Sequence, residues 1–306
     1  MECIILAGSG ESYREVRESE NKAFLKVKGR SILQWILRQL QDVPRIASIH
    51  VVGPKQRLEE HLKEIEYPAT GIPVTCYEES QDIVSNIYSV HDSLGSDPNK
   101  VYMIMPSDVP LITAGEINQF LDRCDAEAFD LQTGMTTAAA LARFAPTESQ
   151  PGVQMATFAF RGVRLRVNNL HLVRPGGVRH GQYIRKIYAL RYQKRIRNAL
   201  GLVAVLFPQA IRLPAAIWYF VCIHMARVTE VRGHMRLAKW LANRIHVNRG
   251  ERMISKIIGA RFRLVITDIG GSAIDVDNDA DYQAMQQRFD EWYEMQQRLA
   301  SDSGGN

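Results

Sequence analysis

The sequence lacks the features of a secreted or membrane-spanning protein. Its four cysteines fall into no disulfide or metal-binding spacing, and no basic segment followed by an apolar stretch and a cleavage site opens the chain. The longest apolar stretches, residues 199–207 and 213–225, fall short of the roughly 18 to 20 residues that a spanning helix requires. These absences predict a cytoplasmic protein without a transmembrane segment.

Acidic residues are nearly absent from one third of the chain. Residues 161–263 contain 22 Lys and Arg but only Glu230 and Glu251, whereas the rest of the chain contains 16 basic and 31 acidic residues. The formal net charge of +5 over 306 residues therefore conceals a polycationic segment within an acidic protein. Such segregation favours contact with an anionic surface or substrate.

Short runs rich in Val and Ile alternate with stretches of helical period in the first half of the chain. This pattern predicts an α/β fold, a Rossmann-like and mostly parallel sheet with helices on both faces. The predicted strands are residues 2–7, 48–52, 74–77, 100–105 and 263–267, and the predicted helices are residues 31–40, 56–64, 83–94, 114–124 and 279–299.

The last predicted strand and helix come after the basic segment. We therefore expect a core of residues 1–156 and 262–306, interrupted by a basic, amphipathic helical insert of residues 157–261. Two β-like runs, residues 155–160 and 163–173, precede the helices of that insert. The interruption predicts one sheet with an inserted subdomain rather than two successive domains.

A glycine-containing loop follows the first predicted strand. Gly8, Ser9 and Gly10 would let backbone N–H groups approach phosphate oxygens, and Arg14 and Lys22 would add positive charge. The loop lacks the third glycine of a dinucleotide fingerprint and the Gly-Lys-Ser/Thr ending of a P-loop, which excludes both motifs. If this loop is considered without the rest of the sequence, the alternative interpretation is an ordinary strand-to-loop turn.

Three segments carry a more specific signal. They are LAGSGESYR (residues 6–14), NKAFLKVKGRSILQWIL (residues 21–37) and MPSDVPLIT (residues 105–113). They resemble the nucleotidyltransferase family that includes the molybdenum-cofactor guanylyl- and cytidylyltransferases and the sugar-phosphate uridylyl- and cytidylyltransferases. AIDVDNDADY (residues 273–282) is similar to the family's closing, metal-contacting segment. The resemblance covers the core and not the insert.

The resemblance implies a role for each matching position. It implies that the nucleotide is bound by Leu6, Ala7, Gly8, Ser9, Gly10 and Asn86. Catalytic contacts fall to Arg14, Lys22 and Asp108, and Mg²⁺ binding falls to Asp108 and Asp277, with Asp275 as the alternative to Asp277. The chain departs from the family pattern where Ser9 replaces the usual second glycine, where Asn21 replaces a proline, and in the spacing of Arg14. The segment NNLHLVRPGG, with Asn168, Asn169, His171 and Arg174, would face the acceptor, although a structural role is the alternative for His171.

The chemistry of the carboxylates agrees with these roles. Asp108 directly follows one predicted buried strand, and Asp277 lies between the last predicted strand and the last helix. Ligands of α/β sheets collect at the carboxyl ends of strands, and Mg²⁺ takes carboxylate oxygens together with substrate phosphate. Capping of the following helical turn is the alternative role for each aspartate.

These residues together predict an Mg²⁺-dependent nucleotidyltransferase. It would move a nucleoside monophosphate from an NTP, with CTP or GTP favoured over ATP, to a phosphorylated small molecule or a lipid phosphate, and release pyrophosphate. One alternative is a basic peripheral-membrane or nucleic-acid-binding module with a degenerate catalytic core. Another is a glycosyltransferase that uses a nucleotide sugar.

The insert contains two predicted basic amphipathic helices, residues 183–198 and 233–245. Their interleaved cations, aliphatic residues and aromatic rings are suited to an anionic membrane surface or a lipid-like acceptor. Packing on the core or on a second copy of the chain in a homo-oligomer is a competing interpretation. Nucleic acid is the least favoured partner.

Overall fold

The computed structural model describes residues 1–8, 21–65, 67, 71–185 and 214–303. The strands are β1 (Glu2–Leu6), β2 (Lys26–Val27), β3 (Arg30–Ser31), β4 (Ser48–Gly53), β5 (Val74–Glu78), β6 (Tyr102–Pro106), β7 (Leu131–Thr137), β8 (Phe158–Phe160), β9 (Val163–Val173) and β10 (Phe262–Thr267). The helices are α1 (Ile32–Gln41), α2 (Lys55–Glu64), α3 (Ile83–Ser93), α4 (Ala114–Arg123), α5 (Ala138–Leu141), α6 (Pro214–Val231), α7 (Met235–Ala242), α8 (Val247–Ile258) and α9 (Asp279–Ser303).

Eight of the strands form one central sheet in the order β5-β4-β1-β6-β9-β7-β10, with β8 paired to β9. The pairs β4–β5, β1–β4, β1–β6 and β7–β10 are parallel, whereas β9 is antiparallel to β6 and β7. The carboxyl ends of the parallel strands therefore meet at one edge, and β9 begins at that edge. The mostly parallel α/β sheet expected from the sequence is confirmed.

Helices cover both faces of the sheet because the strand side chains are apolar in both directions. Cys3 and Ile5 of β1 face the larger core cluster, which includes residues of α1, α4 and α9. Ile4 of β1 points to the other face and packs with Val90 of α3. The Phe289 ring of α9 lies 4.7 Å from that of Trp35 in α1, so the last helix closes the same core as the first.

The polar strand β7 was missing from the sequence prediction. Its sequence, LQTGMTT, has neither the apolar run nor the strict alternation by which strands are recognised. The buried Asn168 of β9 explains how it folds: its side-chain amide donates to Thr136 Oγ1 at 3.2 Å and Thr267 Oγ1 at 3.1 Å. A Cβ at Gly134 would lie 2.1 Å from Asn168 Oδ1, so glycine makes room for this amide.

The expected boundary of the insert at residue 157 is too early. The two β-like runs assigned to the insert are strands β8 and β9 of the central sheet, and β9 lies between β6 and β7. Four residues of β9, namely Leu165, Asn168, Leu170 and Leu172, are buried there, which would not be the case in a surface insert. A helical insert would therefore begin after Val173.

The helices that follow this strand pack beside the sheet. The predicted helix 233–245 corresponds to α7, and α8 was not predicted. Residues 186–198 of the other predicted basic helix lie outside the described residues. In the part of the chain that the structure describes, no helix is both long and apolar enough to cross a bilayer.

Candidate functional site

The candidate site lies at the carboxyl edge of the sheet, where the loops after β1, β4 and β6 meet. The Ala7 N–H donates to the carbonyl of Val52 at 2.7 Å, and the Ser107 N–H donates to the carbonyl of Leu6 at 3.1 Å. A Cβ at Gly53 would lie 2.5 Å from the carbonyl oxygen of Ala7. The first loop therefore starts in close contact with the ends of both neighbouring strands.

Asn21 positions the segment that carries Lys22 next to the end of β1. Its buried side chain donates through Nδ2 to the carbonyl of Ala7 at 2.6 Å and accepts through Oδ1 from the Ala23 N–H at 2.9 Å. It thereby caps the short 3₁₀ turn Lys22–Phe24 and ties that turn to the end of β1. The residue that stands in place of the family's proline fixes the backbone of Lys22.

Lys22, Asp108 and Asp277 meet at this edge. Lys22 Nζ lies 3.2 Å from Asp108 Oδ2 and 2.9 Å from Asp277 Oδ1, although 86 and 255 residues separate the partners along the chain. Burial alone would lower the pKa of Lys22, but the two carboxylates raise it above its ordinary value. The lysine is therefore fully protonated and balances part of the charge of both aspartates.

Asp275 lies beside this group but is buried. Its Oδ1 accepts from Arg166 Nη2 at 3.2 Å. Burial, together with the charges of Asp108 and Asp277, raises the pKa of Asp275 to about 6, and Arg166 opposes the shift. The Val276 N–H donates to the carbonyl of Asp108 at 3.1 Å, so the closing segment runs directly along the loop after β6.

Arg166 was not identified from the sequence. It is half-buried near the start of β9, and its buried Nε has no hydrogen-bond partner among the residues that the structure describes. Its ion-pair partner Asp275 is 109 residues away. A basic residue next to the acidic cluster, with one donor unused, is suited to bind an anionic group of a substrate.

A second unpredicted residue, Glu116 of α4, positions the closing segment. This fully buried carboxylate accepts from the Gly270 N–H at 3.0 Å, from the Ser272 N–H at 2.9 Å and from Ser272 Oγ at 2.6 Å. Burial raises the pKa of Glu116, although these hydrogen bonds oppose the shift. Asn169 Nδ2 adds a bond to the Ser272 carbonyl at 2.9 Å. The turn that leads to Asp275 and Asp277 is thus held by hydrogen bonds from two elements.

The expected nucleotide-binding residues are only partly described. Leu6, Ala7 and Gly8 lie at the end of β1, within the site. Ser9, Gly10 and Arg14 lie outside the described residues. Asn86 is buried on α3, where its Oδ1 accepts from the Ser80 N–H at 2.6 Å, so its side-chain oxygen holds the loop after β5.

The expectation that Arg174 faces the acceptor is wrong. Arg174 lies at the opposite edge of the sheet, where its Nη1 donates to Asp130 Oδ1 at 3.0 Å. His171 sits between the two edges, with Nδ1 3.2 Å from Thr133 Oγ1. Because β9 is antiparallel to β6, only its first residues reach the carboxyl edge.

The donor set suits a metal shared with substrate phosphates. Asp108 and Asp277 converge on one ammonium group and remain partly accessible. Mg²⁺ is commonly bound through one or two carboxylates together with phosphate oxygens and water. Within the described ranges, no group of three or more His, Cys, Asp and Glu side chains is arranged to hold a metal. The two aspartates therefore fit a cation that also binds phosphate.

Comparison with known proteins agrees with the fold of the chain. A hypothetical transferase from Thermus thermophilus is 18% identical with a TM-score of 0.63, over 92% of this chain and 99% of that one. A CMP:2-keto-3-deoxy-manno-octonic acid synthetase complexed with CTP is 13% identical with a TM-score of 0.51, over 95% and 98% of the two chains. No curated protein matches the chain. Residues 3–201 match the model of the MobA-like NTP transferase domain, and since this match spans more than half of the chain, the protein belongs to that family of nucleotidyltransferases.

Proposed function

We propose that this nucleotidyltransferase uses Mg²⁺ to move a nucleoside monophosphate from an NTP to a phosphorylated acceptor. The observation that carries the proposal is the convergence of Lys22, Asp108 and Asp277 beside the loop after β1. An acceptor phosphate oxygen forms a bond to the α-phosphorus, and the bond from that phosphorus to the bridging oxygen breaks. Both electrons of the broken bond leave with pyrophosphate.

Asp108 and Asp277 would hold the metal. Bound there, Mg²⁺ would supply charge neutralisation at the reacting phosphorus and the leaving group. Lys22 is already held at the same point, and its ammonium group would contact the pyrophosphate oxygens as negative charge develops on them. Arg14 would bind the same leaving group from the first loop.

The nucleotide would bind along the first loop, through Leu6, Ala7, Gly8, Ser9 and Gly10, with Asn86 holding the neighbouring loop. CTP or GTP is the donor we favour, and the fold relative that was solved with CTP supports this choice.

The four cysteines are all free thiols, which supports a cytoplasmic location.

Arg166 would bind the acceptor phosphate through its unpaired Nε, while Asp275 orients the guanidinium group. A phosphate acceptor is already anionic at neutral pH and can attack without a general base. A small phosphorylated molecule and a lipid phosphate satisfy this chemistry equally.

The test is pyrophosphate release from each of the four NTPs, with and without Mg²⁺, in the presence of extracted phosphorylated metabolites and lipids. We expect one nucleotide to be used, and we expect Asp108→Asn to lower the rate on the order of 100-fold or more. Asp290→Asn is the matched control, since Asp290 is paired with Lys28 at 2.8 Å away from the site.

The same assay separates the alternatives. Release of a nucleoside diphosphate without pyrophosphate would identify a glycosyltransferase. If no nucleotide gave Mg²⁺-dependent turnover with any acceptor fraction, the proposed reaction would be wrong.

A further inference from the structure

Among the residues that the structure describes, the hairpin of α6 and α7 carries an exposed apolar surface. The exposed residues Trp218, Val221, Met225 and Val228 recur at spacings of three and four along α6 and so lie on one stripe. The adjacent stripe of α6, with Tyr219, Cys222 and Ala226, is buried against α7. On α7 the exposed residues are Met235, Leu237 and Trp240. We name these seven exposed side chains the hairpin face.

Several of these side chains are large and far from buried. Trp218 is 51% exposed, Met235 58% and Trp240 48%. Their exposure is not a sign of a loose hairpin, because Leu241 and Ile245 are buried together with the inner stripe of α6. Large apolar surfaces on a well-packed element mark a site of contact with another apolar surface.

Positive charge surrounds the hairpin face. Residues 214–246 contain five basic residues, all exposed: Arg227, Arg232, Arg236, Lys239 and Arg244. The single acid in this range, Glu230, is neutralised by Arg164 through contacts of 2.5 and 3.0 Å. Arg244 lies over the Trp240 ring, 4.2 Å from its centroid. A partner that binds this face must therefore provide both an apolar region into which side chains can insert and negatively charged groups.

We propose that the hairpin face docks on the surface of an anionic phospholipid bilayer. Aliphatic and tryptophan side chains would enter the boundary between headgroups and acyl chains, and the cations around them would contact lipid phosphates. Over their described residues, neither helix of the hairpin is long and apolar enough to cross a membrane, and docking on the bilayer surface requires no spanning helix.

Other occupants match this chemistry less well. A symmetric dimer through this face would bring its own cations against their copies, which disfavours association. Nucleic acid would satisfy the cations but would leave Val221, Met225 and Val228 exposed to water. An anionic bilayer satisfies both the apolar and the basic half of the surface.

The hairpin is joined to the candidate site through one strand. Arg164 and Arg166 are two residues apart on β9 and so project from the same face of the sheet. Arg164 holds Glu230 of α6, and Arg166 holds Asp275 beside the carboxylates. This part of the inference rests on the proposed function: the docked hairpin would place the acceptor end of the site near the lipid headgroups, which makes a lipid-borne phosphate the favoured acceptor class.

Vesicle flotation of the full chain tests the docking. We expect binding to phosphatidylcholine vesicles that contain phosphatidylglycerol and little binding to phosphatidylcholine alone. The double variant Arg236→Gln/Lys239→Gln should weaken binding by a factor of about 10 or more, since each basic side chain near the surface contributes roughly a fivefold effect. Its control, Lys63→Gln/Arg298→Gln, removes two exposed charges from α2 and α9 and should bind as the unaltered chain does.

A second pair of variants tests the apolar half. Trp218→Ala/Trp240→Ala should reduce vesicle binding on the order of tenfold while leaving the thermal unfolding temperature nearly unchanged, because both rings are about half exposed. Equal vesicle binding by both double variants and the unaltered chain would overturn the proposal. Binding to DNA or RNA without vesicle binding would also overturn it, as would a dimer that Trp218→Ala/Trp240→Ala dissociates.

Nucleotide binding by the same variants keeps this inference separate from the reaction. We expect the hairpin variants to bind NTP with unchanged affinity, since none of the changed residues contacts the carboxylate site. Loss of flotation with intact nucleotide binding supports docking. Failure of every form to bind NTP would refute the proposed function and leave the flotation result standing.

Discussion

At the scale of single residues, Lys22 is the centre of the site because it contacts both aspartates that would bind metal. Its ammonium group occupies the point on which the two carboxylates converge. Two carboxylates held this close would repel one another without a cation between them. Lysine and a divalent cation therefore stabilise the same arrangement, which gives the residue a measurable effect apart from turnover.

We predict that Lys22→Met lowers turnover by a factor of about 100 or more, because the developing charge on pyrophosphate loses a fixed cation. We also predict that Mg²⁺ raises the unfolding temperature of this variant more than that of the unaltered chain, since the metal then replaces the missing charge. Thermal unfolding with and without Mg²⁺ measures the second effect. Lys63→Met on the exposed side of α2 is the control, and an equal Mg²⁺ response in all three forms would contradict the prediction.

Arg166 gives a second residue-scale prediction. Arg166→Gln should raise the KM for the acceptor roughly 100-fold, because a charge-assisted contact to phosphate is lost, and should leave the affinity for NTP nearly unchanged. The acceptor KM of Arg166→Lys, which keeps the charge, should lie between that of the unaltered chain and that of Arg166→Gln. Steady-state kinetics with the acceptor varied at saturating nucleotide measures this split. An unchanged acceptor KM in Arg166→Gln would show that Arg166 does not bind the acceptor.

At the scale of elements, the edge of the sheet opposite the site is held by one carboxylate. Asp130 precedes β7, accepts from the Arg261 side chain at 2.7 and 3.0 Å before β10, and accepts from Arg174 at the end of β9. Hydrogen bonds from Arg261 lower the pKa of Asp130, although burial opposes them. Three strands of the sheet therefore depend on the ionised form of this side chain.

We predict that Asp130→Asn lowers the free energy of unfolding by about 2 kcal/mol at neutral pH. A carboxyl group whose pKa is lowered in the folded state stabilises that state above its unfolded pKa, and this contribution is lost as the pH falls through the folded pKa. The difference between the two forms should thus shrink below about pH 4. Urea unfolding at neutral and acidic pH measures it. Asp122→Asn, at an exposed ion pair with Arg45, should cost less than about 1 kcal/mol, and a pH-independent difference for Asp130→Asn would contradict the argument.

The elements that the sequence predicts well are those with apolar patterns of their own. The strand before Asp108 and the helix after Asp277 are of this kind, which is why Asp108 could be placed at the end of a strand and Asp277 just before a helix. Strand β7 could not be predicted, because its polar side chains are satisfied only by Asn168 from a distant strand. Arg166 and Glu116 were missed for the same reason: their partners, Asp275 and Ser272, lie more than 100 residues away.

At the scale of the whole molecule, the acidic and basic parts of the chain form two different surfaces, to which we assign different partners. The acidic core brings three aspartates to the carboxyl edge, where a cation and phosphates would bind. The basic hairpin lies beside the start of β9, at that same edge, and would bind lipid phosphates. The sequence shows this segregation of charge, but only the fold brings the two surfaces next to one another.

The central claim is that Asp108 and Asp277 act together on a metal that also binds the nucleotide. The most direct test is calorimetric titration of CTP and GTP into the full chain, with Mg²⁺ and with a chelator, for the unaltered protein and for Asp108→Asn/Asp277→Asn. The account predicts tight binding of one nucleotide that requires Mg²⁺ and is lost in the double variant. Binding of either nucleotide with the same affinity to both protein forms, in Mg²⁺ and in chelator alike, would contradict it.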